Sequence, residues 1–238
     1  MDFFADFDEW DLPGADTSNG QISIHGRRAG SGPPLALLHG HPRTHTTWNV
    51  VAPRLVAAGF TVVCPDLRGY GRSTAPPRRP DHAQASKRAM AADVAAVMSE
   101  LGHDRFAVAG HDRGSYVAYR TRERLGEGNY ADYDRAICDP ETVQAMLEDY
   151  RAGLGVDREA DEADRAAGRR ISCPLLVAWS RHDDMQDLYG DVPAVWQPWT
   201  EQTPRTAVID SGHHMAEEAP VQLADELETF LRGVGVLP

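Results

Sequence analysis

The chain has 238 residues, 42% of them hydrophobic, and a formal net charge of −12. That length suffices for one substantial core, and the acidic balance argues against a nucleic-acid partner or an anionic membrane surface, since both reward clustered Lys and Arg. Three widely spaced cysteines, Cys64, Cys138 and Cys173, have neither disulfide-framework nor metal-ligand spacing, and no apolar run approaches the roughly 20 residues of a membrane span. The stretch MDFFADFDEW lacks a basic leader, so the expectation is a cytoplasmic protein without a membrane or nucleic-acid partner, acting on a small-molecule substrate.

In chain order, QISIHG (21–26), PLALLHG (34–40), FTVVCPD (60–66), FAVAGHD (106–112), CPLLVAWS (173–180) and TAVIDSG (206–212) read as strands. Between them, residues 45–58, 84–101, 114–124 and 216–232 carry apolar positions three and four apart, the period of a helix packed on a sheet. This alternation predicts an α/β protein, a mostly parallel sheet flanked by helices. STAPPRRPDH (73–82) reads as a Pro-rich loop, and VDREADEADRAAGRR (156–170), charged on almost every side, as a solvated helix. One domain over 1–238 is expected.

Gly110-His111-Asp112-Arg113-Gly114 follows the strand FAVA and precedes a helix. A nucleophile between two glycines at such a junction is thrust above the sheet, in a turn too tight for larger neighbours. The N–H groups of the next helix then favour negative charge developing beside it. The central residue is Asp112. A glycine-flanked helix cap would look the same, Asp being a preferred capping residue, but other segments fall into place around it. His39-Gly40-His41-Pro42 ends the run PLALL, where a backbone N–H of His41 would complete an oxyanion hole with that of Arg113. Asp183 follows the strand CPLLVAWS as a candidate acid, and His213 follows TAVIDSG as a candidate base. The neighbouring His182 and His214 are the alternatives within each doublet. Nucleophile, acid and histidine thus occur in the chain order expected of such a site.

HGHPRTHTTW, DLRGYGRS, GHDRGSYVAYR and SGHHMAEEAP together resemble the α/β-hydrolase fold, in the branch that holds haloacetate dehalogenases, haloalkane dehalogenases and epoxide hydrolases. The resemblance covers residues 20–122 and 171–232. It implies an Asp nucleophile acting at saturated carbon, where a carboxylate is competent although it is a poor acylating group. Asp112 would form an alkyl ester, and water activated by His213, oriented by Asp183, would hydrolyse it while His41 and Arg113 N–H groups hold the oxyanion. Arg113 matches the arginine that binds the substrate carboxylate in the haloacetate enzymes, and a guanidinium suits a haloacid. A second arginine of those enzymes falls on Tyr116, leaving Arg43 as a substitute substrate-binding residue.

The same resemblance exposes a gap. Residues 123–170 number 48, where relatives fit a sixth strand, a lid of several helices and a further helix; here the stretch 125–155 reads as one or two helices, a lid remnant. A shortened sheet of about seven strands and a reduced lid are expected, with activity weaker than that of full-length relatives. The family's halide-binding histidine and tryptophan find no match. No cofactor and no metal are expected: His39, His41 and His45 read as turn histidines. Trp48, Trp179, Trp196 and Trp199 read as packing. Tyr130, Tyr133 and Tyr150 would polarise an epoxide oxygen if the lid remnant folds over Asp112. The expected activity is dehalogenation of a short haloacid such as a haloacetate. The alternatives are an epoxide hydrolase and a non-catalytic binding homologue, with a homodimer left open.

Overall fold

Five consecutive residues of Thr61–Pro65 are buried, and three of them are Val or Cys with no polar side-chain group to satisfy. Such a run fits a strand covered on both faces, the middle of a sheet. The structure, a computed structural model, describes residues 4–15, 22–111, 133, 135–136 and 138–236. Its strands are β1 (Asp8–Pro13), β2 (Ser23–Ala29), β3 (Pro34–Leu38), β4 (Thr61–Pro65), β5 (Ala107–Gly110), β6 (Leu176–Ser180) and β7 (Arg205–Ile209). The chain divides into two compact units, Met1–Arg158 and Glu159–Pro238.

In the first unit a five-stranded sheet runs in the order β1-β2-β4-β3-β5. The β1–β2 and β2–β4 pairs are antiparallel, whereas β3 lies parallel to both β4 and β5. The second unit holds the parallel pair β6–β7, in register from Leu176 opposite Arg205 to Ser180 opposite Ile209. The described residues thus hold five strands in the first unit and two in the second. β1, DEWDLP, has no sequence signal, because three acids and a proline are poor strand formers; it is an edge strand whose Trp10 packs on the core.

The helices are α1 (Val51–Ala57), α2 (Lys87–Glu100), α3 (Pro140–Leu154), α4 (Val156–Ala166), α5 (Met185–Tyr189), α6 (Val192–Trp196), α7 (Met215–Glu218) and α8 (Pro220–Gly233). Ser86 caps α2 by accepting the Ala89 N–H at 3.2 Å, and Val94 and Met98, four apart, press on Ala36 and Val63 of the sheet. Asp139 caps α3, with Pro140 opening the helix. α4 buries no residue, as its charge pattern predicts. Two expected helices are divided: 45–58 becomes a 3-10 turn at His45–Trp48 followed by α1, and 216–232 breaks at Ala219–Pro220, where proline lacks the N–H that would continue the helix. The helix expected over 114–124 lies outside the described residues.

Arg68 ties the turn after β4 to α2. Its guanidinium makes a two-pronged contact with Asp93 and donates to the Gln84 carbonyl at 3.0 Å, with side-chain exposures of 1% for Arg68 and 3% for Asp93. A buried pair costs much desolvation, so breaking it is worse than never having made it. Asp93→Ala is expected to lower the unfolding free energy by about 3–5 kcal/mol. Arg68→Met combined with Asp93→Leu should lose less than the single change; urea titrations of the three proteins check this.

Candidate active site

β3 and β5 run parallel, Leu38 opposite Gly110, and the His111 N–H donates to the Leu38 carbonyl at 3.0 Å. Their C-terminal ends therefore lie side by side, and in sheets of this class functional groups gather outside such ends. One end leads into His39-Gly40-His41-Pro42. The other leads directly to Asp112. Asp112, Arg113 and Tyr116 themselves, and Tyr130, fall outside the described residues.

The turn after β3 is built from the inside outward. Leu67 N–H donates to His39 Nε2 at 3.0 Å, so the imidazole proton sits on Nδ1 and goes to the Gly40 carbonyl at 2.9 Å. Burial holds the His39 imidazole below its ordinary pKa, against the pull of Asp66. Arg43 N–H closes the turn on the Gly40 carbonyl at 2.9 Å. Farther along, the Asp66 carboxylate accepts the His45 N–H at 2.7 Å, faces His45 Nδ1 at 2.9 Å, and accepts the Arg72 N–H at 3.0 Å. Burial alone would raise the Asp66 pKa, but these bonds and the neighbouring imidazoles bring it down to about 2. His25, His45 and Asp66 offer donor atoms within 4.8 Å of one another. These groups serve as hydrogen-bonding partners: His25 Nδ1 faces Asp11 at 3.1 Å and its Nε2 lies 3.4 Å from the Arg72 guanidinium.

α3 brings a second group of side chains to His41. Tyr70 donates its hydroxyl proton to Asp149 at 2.8 Å, so the Tyr70 oxygen faces His41 Nδ1, 3.4 Å away, as acceptor. Lys87 pairs with the other oxygen of Asp149, and the Tyr150 ring meets the His41 ring edge-on at 5.2 Å. Tyr70 and Asp149 were not singled out by sequence reasoning. Their signal lay in DLRGYGRS and in the alternation of Met146, Asp149 and Tyr150 along an amphipathic helix. Arg43, expected at the substrate, is 1% exposed, with its guanidinium 4.4 Å over the Tyr133 ring. Trp48 is in the core, Trp199 stands 5.9 Å from Arg165, and Trp196 is exposed.

In the second unit, Asp183 follows β6 and His213 follows β7. Because the strands are parallel neighbours in register, the two turns emerge together, and His213 Nδ1 lies 2.7 Å from Asp183 Oδ2. Asp183 Oδ1 accepts the Asp184 N–H at 2.9 Å. Of the alternatives in each doublet, His182 Nε2 faces Asp210 at 2.9 Å and His214 is buried, its ring perpendicular to that of His213. An imidazole whose Nδ1 proton is held by a carboxylate presents Nε2 as a base.

The buried groups set two pH windows for stability. The folded-state pKa values of His39 and His25 lie below the ordinary 6.5, so their contribution is present above about 6.5 and is lost as pH falls toward their folded values. The Asp66 contribution is present above its ordinary 3.8 and is lost as pH falls through about 2; it is worth roughly 2 kcal/mol. Urea unfolding from pH 7 to 2 should show both losses, with the upper one reduced in His39→Asn and the lower one absent in Asp66→Asn.

The α/β-hydrolase fold family matches residues 33–121. The fluoroacetate dehalogenase of a Burkholderia species is 30% identical over 282 aligned positions, 89% of this chain and 91% of the relative. The soluble epoxide hydrolase of Corynebacterium is 45% identical over 287 positions, 88% of this chain and 96% of the relative. Both alignments are longer than the chain's 238 residues, so each relative carries, within the matched span, residues that have no counterpart here. A solved structure of a provisionally assigned epoxide hydrolase from Pseudomonas aeruginosa superposes with a TM-score of 0.82 at 31% identity, covering 96% of each chain. No helix among the described residues is long and apolar enough to cross a membrane. The chain belongs to the α/β-hydrolase family: it is an enzyme, a hydrolase homologous to fluoroacetate dehalogenase and to epoxide hydrolases.

Proposed function

We propose that the chain hydrolyses the carbon–halogen bond of a short haloacid such as a haloacetate, with Asp112 as nucleophile. What supports the reading is that β5 ends at Gly110 beside Leu38, which leads into the His39-Gly40-His41 turn, and that Asp112 follows Gly110 by two residues in the sequence. The Asp183–His213 contact supplies a base of the right tautomer. The Burkholderia relative is a fluoroacetate dehalogenase.

In the first half-reaction an Asp112 carboxylate oxygen forms a bond to the carbon bearing the halogen, and the halide leaves with the bonding pair. Arg113 holds the substrate carboxylate. In the second, His213 Nε2 takes a proton from water as the water oxygen adds to the ester carbonyl of Asp112. Backbone N–H groups of His41 and Arg113 stabilise the oxyanion. Collapse expels the alkoxide of the 2-hydroxy acid, which takes the proton back from His213, and Asp112, left as the free acid, gives its remaining proton to solvent; Asp183 balances the imidazolium meanwhile. No cofactor enters. Tyr116 in place of a second arginine weakens the hold on a small acid, which favours a slow enzyme.

A second reading, epoxide hydrolysis, uses the same two steps with the epoxide oxygen as leaving group. Tyr150 against His41 and the 45% identity to a soluble epoxide hydrolase favour it. Halide release from fluoro-, chloro- and bromoacetate is expected, with diol formation from small epoxides as the competing outcome; silence in both assays would overturn both substrate readings. A single turnover in heavy-oxygen water should put label into Asp112, and label confined to product would falsify the ester route. Asp112→Asn should be inactive. His213→Gln should lose about 10²–10⁴-fold in turnover and accumulate the alkyl adduct on the peptide containing Asp112, detected by mass.

A further inference from the structure

His213 sits on a short loop between β7 and α7, and one carboxylate grips that loop on both sides of it. Glu218 Oε2 accepts the Gly212 N–H at 2.8 Å, and Glu218 Oε1 faces the His214 N–H at 3.3 Å. The grip is returned through the backbone, where the Glu218 N–H donates to the His214 carbonyl at 2.9 Å. The approach is close enough that a side chain at residue 212 would push the carboxylate aside: a Cβ there would stand 2.9 Å from Oε2 and 3.1 Å from Oε1. Hydrogen bonds to an ionised acceptor are shorter and stronger than neutral ones. Two of them on residues 212 and 214 fix the backbone from which the imidazole of residue 213 projects.

Asp183 meets the ring at Nδ1 and the His214 ring stands edge-on to it, and where the ring meets either depends on the backbone of the loop that carries it. We propose that Glu218 is a positioning residue for the base: by bridging the N–H groups of Gly212 and His214 it holds His213 where its Nδ1 meets Asp183 and its Nε2 can serve the hydrolytic step. The inference rests on the two-step reading above, in which His213 acts only in the second half-reaction. A misplacement of about 1 Å in a catalytic group can cost 10²-fold in rate. Loss of the bridge therefore slows ester hydrolysis by about that factor and leaves alkylation of Asp112 untouched.

The test compares wild type, Glu218→Ala, Glu218→Gln and Gly212→Ala on chloroacetate. Slowed hydrolysis after unchanged alkylation lowers kcat and KM together and leaves kcat/KM near the wild-type value, with the alkyl adduct accumulating on Asp112. A purely structural loss of active protein lowers kcat and kcat/KM at constant KM. Glu218→Gln, which keeps one acceptor oxygen, should fall between wild type and Glu218→Ala, and Gly212→Ala should resemble Glu218→Ala. A second readout needs no substrate: the low-field proton resonance of His213 Nδ1–H, identified by its absence in His213→Gln, should be present in wild type and lost or broadened in Glu218→Ala. If wild type neither releases halide nor forms an adduct, the haloacid reading fails, and the resonance still decides the role of Glu218. An unchanged resonance in Glu218→Ala, or a fall in kcat at constant KM, overturns the proposal.

Discussion

The carboxylate of Asp66 is buried, and a buried charge persists only where hydrogen bonds replace the water it has lost. Here those bonds come from two loops, from the backbone and ring of His45 and from the backbone of Arg72. The same residue binds its neighbours through the main chain: its N–H donates to the His25 carbonyl and its carbonyl accepts from the Ser73 hydroxyl. The turn after β3 and the turn after β4 are thereby joined at one atom group. What stands on them, His41 on the first and Tyr70 on the second, takes its place from that junction. A neutral or smaller residue at position 66 would leave two loops to find each other without a shared anchor.

The helix α3 acquires a role from the same junction. α3 reaches the two turns through Asp149 and Tyr150, which meet Tyr70 and His41, while Met146 packs with Tyr70 and Met90. Glu148, on the same helix, gathers His82, Gln84 and Arg151 around its carboxylate. The polar side chains of α3 thereby tie the Pro-rich loop and the turn after β3 together.

In the proposed reaction, Asp112 as nucleophile would divide the chemistry between two sets of residues. Displacement at saturated carbon asks for a carboxylate and a charge to hold the substrate, whereas hydrolysis of the resulting ester asks for a base and an oxyanion site. The residues proposed for the second set are each braced within their own unit: His39 by Leu67 and Gly40, and the His213 loop by Asp183 and Glu218. Bracing by charged acceptors suits groups whose own charge changes during turnover, because fixed dipoles need no reorganisation at the moment of reaction.

Strands β2 to β7 were legible in the chain because apolar runs of period two, or continuous ones, reflect burial on a sheet, and local spacing is enough to reveal it. Asp183 and His213 were legible as positions after parallel strands, and the structure brings them within 2.7 Å of each other; Asp112 lies outside the described residues. β1 was not legible, because an edge strand needs only one partner and tolerates Asp, Glu and Pro that propensity would reject. Neither were the partners of His41 nor the grip of Glu218 on residues 212 and 214. Tyr70 and Asp149 are separated by 79 residues, and no local pattern encodes a contact across that distance. Sequence alone determined the fold class and the chemical types available at the strand ends. Tertiary structure alone decided which carboxylate answers which imidazole or N–H, because hydrogen bonds act over about 3 Å and only packing sets distances of that order.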